Sequence, residues 1–192
     1  GLDTRWVAQN IEHLEETDST NRVAFDLGRQ GAPAGTVVIA EAQSAGRGRL
    51  GRAFYSPAHQ NIYSSTLLRP TCSIADTPTL ILGAAVAVAE SVAKFLGDEE
   101  SVEIKWPNDV LIRQRKTSGI LMESSAEGTR IAFAILGIGV NLNVDRETFP
   151  EEFRPLATSL ASELGHPVDR ADFARCLFER LEAQLNLHAA GG

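Results

Sequence analysis

Little in this chain invites metal or disulfide chemistry. Its 192 residues hold two cysteines, one methionine and four histidines. Cys72 and Cys176 lie far apart and join no paired motif, so free thiols in a reducing compartment are expected. His13, His59, His166 and His188 show no ligand spacing, which favours surface and loop positions over coordination and leaves any metal ligands unknown. Long apolar runs are missing as well. The longest candidate, Leu80 to Ala89, is broken by Gly83 and falls short of transmembrane length. The first residues do not read as a signal peptide, so a cytoplasmic location with no membrane partner is expected. Positive charge is scarce: 18 Lys and Arg face 25 Asp and Glu, a net charge of −7. General nucleic-acid binders release counterions with a basic face, so DNA is not an expected partner. What remains is a globular composition, 43% hydrophobic and 22% charged. It fits one domain over residues 1–192, with no internal repeat and no linker.

On that acidic background one basic segment stands out, Gly46-Arg47-Gly48-Arg49-Leu50-Gly51-Arg52. Glycine lets a backbone turn sharply and approach a ligand, and arginine forks suit phosphate and carboxylate oxygens. The segment formally matches Gly-x-Gly-x-x-Gly. That fingerprint requires a helix immediately after it, and Ala53 to Asn61 has no helical period and contains Pro57. A Walker loop fails for want of a closing Gly-Lys-Ser/Thr. A loop closing over an anion remains, beside a plain solvated basic loop or an arginine-glycine patch for RNA.

The hydrophobic periodicity predicts strands at Ile11 to Thr17, Thr36 to Ala40, Asn61 to Leu68, Val102 to Lys105, Val110 to Arg113, Ser118 to Ser124 and Ile131 to Asn141. Asp18-Ser19-Thr20-Asn21 supplies polar caps for a first helix that ends at Gly28 and Gly31. Further helices are expected over Asp76 to Leu96, Thr158 to Leu164 and Asp169 to about His188, the last capped by Asp169. This order predicts an α+β fold, a mixed β-sheet with helices packed on it.

Three more polar clusters sit at element ends. Lys105-Trp106-Pro107-Asn108-Asp109 presents a carboxylate and an amide on a rigid turn, or is simply an ordinary strand-to-strand turn. Lys116 stands before Gly119-Ile120-Leu121, at the entry to a buried strand; alone, such a lysine is more often a solvated loop cation. Gly137-Ile138-Gly139-Val140-Asn141 puts glycines inside an apolar strand, which marks close approach of a ligand or another backbone.

Taken in order, Ser19-Thr20-Asn21, Gln43 with Gly46 to Arg52, Lys105 to Asp109, Lys116 with Gly119-Ile120-Leu121, and Gly137 to Asn141 resemble the biotin protein ligase (biotin–[acetyl-CoA carboxylase] ligase) family. The resemblance implies a catalytic domain related to class II aminoacyl-tRNA synthetases and lipoate ligases. It also implies that biotin and Mg-ATP react to biotinyl-5′-AMP, with transfer to one lysine of a biotin carboxyl carrier domain. Joining two anions requires concentrated positive charge. Lys116, Arg47, Arg49 and Arg52 can supply it, with Lys116 at the carboxylate and α-phosphate; the resemblance implies Arg47 and Gly46 by the biotin end and the later arginines nearer the nucleotide. Ser19, Thr20, Asn21 and Gln43 suit the ureido head group, and Phe54 an apolar wall along the biotin tail. Gly137 and Gly139 leave room for flat rings, Asn141 suits the adenine edge, Asn108 belongs to the nucleotide side, and Trp106 supports the site by packing. Asp109 is the candidate to orient the acceptor amine or take its proton.

The resemblance also sets expectations at the ends. About eighteen residues precede Ser19, so the winged helix of many members is expected to be absent, and likewise the small SH3-like domain after the last helix. A homodimer is left open. Rival readings are a lipoate or octanoate ligase on the same fold, and a non-catalytic biotin- or RNA-binding module.

Overall fold

A computed structural model describes residues 1–71, 74–128 and 130–190; Cys72 lies outside them. Seven strands form one mixed sheet in the order β1-β2-β3-β7-β6-β5-β4. In chain order these are β1 (Ile11–Thr17), β2 (Val37–Gln43), β3 (Ile62–Leu68), β4 (Val102–Lys105), β5 (Asp109–Ile112), β6 (Arg115–Glu127) and β7 (Arg130–Val140). Only β1 and β2 pair in parallel, joined through α1 (Thr20–Arg29). Every other neighbour is antiparallel. The helices α2 (Thr77–Leu96), α3 (Leu160–Leu164) and α4 (Arg170–Ala190) complete the fold, an α+β arrangement as expected.

Strand alternation splits the core into two faces. On β3, Ile62 and Leu68 join the large cluster with α2 and α4. Leu67 joins the smaller cluster under α1 with Ala24, Phe133 and Ile135. Ser65 shares the α1 face, where its hydroxyl meets Thr20 and Asn21. Polar side chains on that face therefore converge beneath the first turn of α1. The opposite face carries the bulk of the core, with Leu80, Ala84, Val88 and Val92 of α2 against Phe173, Leu177 and Leu181 of α4. By length and composition α2 is apolar enough to cross a bilayer, which corrects the sequence expectation. The small residues of α2 let it lie close on the sheet, and here it is packed on α4.

Several boundaries move in ways that matter. β2 runs on to Gln43, carrying that side chain to the end of the sheet. Arg113 and Gln114 both adopt positive φ, 47° and 65°, which makes a two-residue hairpin whose twist matches the flanking strands. β6 therefore begins at Arg115, paired with Ile112, and Lys116 lies inside the strand rather than ahead of it. Asp169 does cap α4, accepting from the Asp172 amide at 2.9 Å. The chain start is tied to the same helix: Glu182 accepts from the amides of Arg5, Trp6 and Val7, each at 2.8 Å. Burial acts to raise the Glu182 pKa, but these amides outweigh it and hold the carboxyl below its ordinary value.

Candidate active site

The first turn of α1, the end of β2, the basic loop and the centres of β6 and β7 enclose a cavity of about 470 Å³ including its open mouth. Its polar corner begins at Ser19. This residue occupies the N-cap position with extended φ and ψ of −159° and 129°, yet its hydroxyl makes no capping bond. Asp18 instead accepts from the Ser19 amide at 2.6 Å. The polar run read as caps thus faces the cavity. Gln43 Oε1 accepts from the Thr20 amide at 2.9 Å, and Gln43 Nε2 donates to Ser56 at 3.1 Å. Ser65 Oγ lies 2.8 Å from Thr20 Oγ1 and 2.6 Å from Asn21 Oδ1. Asn21 Nδ2 donates to Glu123 at 2.8 Å.

Two glycines keep this corner open. A Cβ on Gly137 would stand 2.2 Å from Asn21 Oδ1, and one on Gly139 would stand 2.7 Å from the Phe54 ring. The flat groups resting on these glycines are the chain's own carboxamide and phenyl ring. Phe54 is held edge-on by Tyr63, with centroids 6.4 Å apart. Tyr63 is itself buried, which pushes its phenol pKa up, and it donates to the Pro57 carbonyl at 2.8 Å.

The basic loop is more closed than its composition suggests. Arg47 and Ala53 bridge as antiparallel partners. Phe54 donates from its amide to the Gly46 carbonyl at 2.9 Å, and Gly48 to Arg52 at 2.7 Å. A Cβ at Gly46 would come within 2.6 Å of the Phe54 carbonyl oxygen, so the crossing needs glycine there. The loop's residues are nonetheless exposed at Arg47 and from Arg49 to Ala53, most of all at the tip, where Leu50 has 88% exposure and φ of 57°. Arg47 Nη1 pairs with Glu123 Oε1 at 3.2 Å, and Arg49 reaches toward Asn108 at 3.5 Å.

Beyond the loop lies a wider cavity of about 1640 Å³ including open solvent, bordered by Arg49, Arg52, Asn108, Asp109 and Lys116, with Phe149 and Phe153 on its apolar side. Lys116 lines both cavities. Its backbone is clamped by the Leu156 carbonyl and the Thr158 amide, and its Nζ curls over Gly119 to lie 2.8 Å from Asp109 Oδ1. That contact is a charge pair rather than an aligned hydrogen bond, and Asp109 Oδ1 is otherwise shielded from solvent.

Two expected residues are engaged differently from the expectation. Trp106 does not pack against the site: it is 64% exposed and borders neither cavity. The hairpin register Lys105↔Asp109 carries residues 106–108 beyond the sheet, and only Asn108 folds back, donating to the Ile120 carbonyl at 3.0 Å. Asn141 borders the wider cavity, but its amide is engaged by the protein. It donates to the Thr158 carbonyl at 3.2 Å and accepts from Asn61 at 3.5 Å. Glu123, Ser65, Ser56 and Tyr63 were not singled out by the motifs. The period of two along β6 offered one signal, since it puts Glu123 two residues from Leu121, on the cavity face.

Residues 14–141 match the biotin/lipoate A/B protein ligase family. The chain belongs to that family. Among relatives, it is 42% identical to the bifunctional ligase/repressor BirA of Bacillus spizizenii over 171 residues, covering 89% of this chain and 52% of that protein. It is 38% identical over 181 residues to the biotin–[acetyl-CoA-carboxylase] ligase of Paracoccus denitrificans, covering 91% and 74%. The chain thus spans about half the length of the BirA relatives it matches. Among solved structures, the biotin protein ligase of Aquifex aeolicus in complex with biotin and ATP superposes with a TM-score of 0.80 and 32% identity, over 95% of this chain and 72% of that one. The Leishmania major biotin protein ligase in complex with biotinyl-5-AMP gives 0.74 and 29%, over 91% and 74%. Membership in this family accords with the mixed sheet and its helices described above.

Proposed function

We propose that this chain joins biotin to a lysine of a carboxylase carrier domain through biotinyl-5′-AMP, using ATP. The observation that carries this reading is the position of Lys116 at the junction of the two cavities, with Arg47 and Arg49 on the facing loop. The narrower cavity suits the biotin head group and the wider one the nucleotide. The ureido ring presents two N–H donors and a carbonyl, and the Ser19, Thr20, Asn21 and Gln43 corner offers matching polar atoms. A dithiolane or a plain acyl chain has nothing to satisfy them, and an unsatisfied polar corner disfavours such a ligand. This supports biotin over lipoate or octanoate.

In the first step a carboxylate oxygen of biotin attacks the α-phosphorus of ATP, and pyrophosphate leaves. Lys116 and the arginines neutralise the meeting anions. Mg2+ enters with ATP as the counter-ion of its phosphates. In the second step the carrier lysine, as the free amine, attacks the acyl carbon of the mixed anhydride, and AMP leaves. Asp109, bordering the wider cavity, is the proposed group to orient that amine or take its proton. Its present partner is Lys116. When Lys116 turns to the phosphate, the Asp109 carboxylate is released for that task. Arg52 and Asn108 border the nucleotide side, and Asn141 meets adenine only by exchanging one of its protein partners. The buried free thiol of Cys176 and the need for ATP support a cytoplasmic setting, and the net charge of −7 argues against DNA as a partner of these residues.

The test is pyrophosphate release with biotin, lipoate or octanoate as the acid, followed by mass measurement of an apo carrier domain. Biotin-dependent release and a biotin-sized mass increase support the proposal. Release with lipoate alone, or with no acid, overturns it.

A further inference from the structure

Glu123 is a carboxylate bonded to two residues that line the narrower cavity, Asn21 and Arg47. It is neither a core residue nor a freely solvated one, since its side chain is 32% exposed. Its two oxygens are divided between two residues of the site. Oε1 holds Arg47 Nη1 at 3.2 Å and Oε2 accepts from Asn21 Nδ2 at 2.8 Å.

We propose that Glu123 is a positioning residue for the adenylation reaction, fixing the orientation of the Asn21 amide in the head-group corner and anchoring Arg47 over the cavity. The inference rests on the biotin ligase reading above.

A carboxylate only accepts hydrogen bonds. Facing it, Asn21 must present its NH2 to Glu123, which turns Oδ1 back toward β7. Oδ1 can only accept, so the Ser65 hydroxyl at 2.6 Å must donate to it. The single Ser65 proton is then spent. The Thr20 hydroxyl either donates to Ser65 at 2.8 Å or to Gln43 Oε1 at 3.2 Å. Glu123 at 2.8 Å, with the Leu121 carbonyl a weaker second acceptor at 3.5 Å, thus sets the donor and acceptor sense of the corner that meets the ureido ring. Turned over, Asn21 would put an NH2 against the Ser65 donor and an oxygen against the carboxylate. The same charge holds Arg47, whose loop has no other ion pair among the described residues.

The two jobs separate by substitution. Glu123→Gln keeps an oxygen to accept from Asn21 but loses the charge, and its NH2 turns toward Arg47. Glu123→Leu removes both partners. Biotin binding by titration calorimetry, the half-life of bound biotinyl-AMP, and the KM and kcat of adenylation are measured for each, with melting curves alongside. Glu123→Gln is expected to bind biotin within about threefold of the parent and to lose biotinyl-AMP several-fold faster. Glu123→Leu is expected to bind biotin about tenfold more weakly, the scale of one buried polar group left unpaired, as a rise in KM larger than any fall in kcat. A double-mutant cycle of Glu123→Gln with Arg47→Ala should be non-additive in the half-life. Parent-like binding and half-life in both variants overturn the proposal, as does equal loss of biotin affinity in the two. If Glu123→Leu does not fold, the cycle decides, and additivity there overturns it. A parent that releases no pyrophosphate with biotin refutes the ligase reading instead.

Discussion

Lys116 and Asp109 hold each other across the β5–β6 hairpin, Nζ to Oδ1 at 2.8 Å, at the boundary of the two cavities. On the proposed mechanism the lysine of the first step masks the carboxylate of the second, and phosphate binding is expected to unmask it.

Lys116→Ala is expected to reduce biotin-dependent pyrophosphate release on the order of a hundredfold or more, the scale of one preorganised charge donor. The fold should survive, because the strand is fixed by backbone bonds to Leu156 and Thr158. Release assays beside circular-dichroism melts check this. A folded variant with parental release refutes the role.

Asp109→Asn should leave adenylation intact, since Lys116 loses a competitor. Transfer from preformed biotinyl-AMP to a carrier should slow by about a hundredfold, typical for loss of a general base. Single-turnover transfer over a range of pH measures it. Unchanged transfer would remove Asp109 from the second step.

Gly137→Ala places a methyl 2.2 Å from Asn21 Oδ1. Asn21 must yield, breaking its bonds to Ser65 and Glu123. Biotin affinity should fall about tenfold or more, with a smaller effect on melting temperature than on binding. Calorimetric titration with biotin is the check.

Hydrogen exchange should divide the basic loop. The amides of Gly48, Arg52 and Phe54 are bonded within it and should be protected without ligand, whereas those of Leu50 and Gly51 should exchange fast. Biotinyl-AMP should slow the tip alone. Uniformly fast exchange from Gly46 to Phe54 would contradict the closed loop.

Glu41, which borders neither cavity, gives a pH signature of its own. Burial works to raise its pKa, but hydrogen bonds from His13, Arg170 and His59 outweigh it and bring the value from 4.5 to about 2. A depressed native pKa contributes stability above the unfolded value and loses it as pH falls through the native one. Glu41→Gln should be less stable than the parent near pH 6, with the gap closing between about 4.5 and about 2. Urea midpoints across that range measure the trend.

Motifs whose glycines and charges sit close in sequence were the legible part. The α+β class and the elements from β1 to α4 follow from local pattern, whereas the convergence of Ser19, Thr20, Gln43, the basic loop, Lys116 and Gly137 on one place is what the family resemblance of their motifs implies. Glu123 was hidden because its partners are Asn21, 102 residues away, and Arg47, 76 residues away, and nothing around it in β6 marks it as special. Trp106 misled because an aromatic beside proline reads as packed, while the hairpin register projects it into solvent. The closure of the basic loop was not legible, because the backbone bonds that make it leave no mark in its glycines and charges.

The Glu182 clamp has a mechanical meaning. Three amides at Arg5, Trp6 and Val7 hang on one carboxylate of α4, and Ala8 then hands the chain to the Gly35 carbonyl at 2.9 Å. Tension applied at Gly1 is borne there, by the helix on the far side of the sheet, before it can reach β1 or the Ser19 corner. A tag, a tether or a surface attached at this end can pull without bending the site.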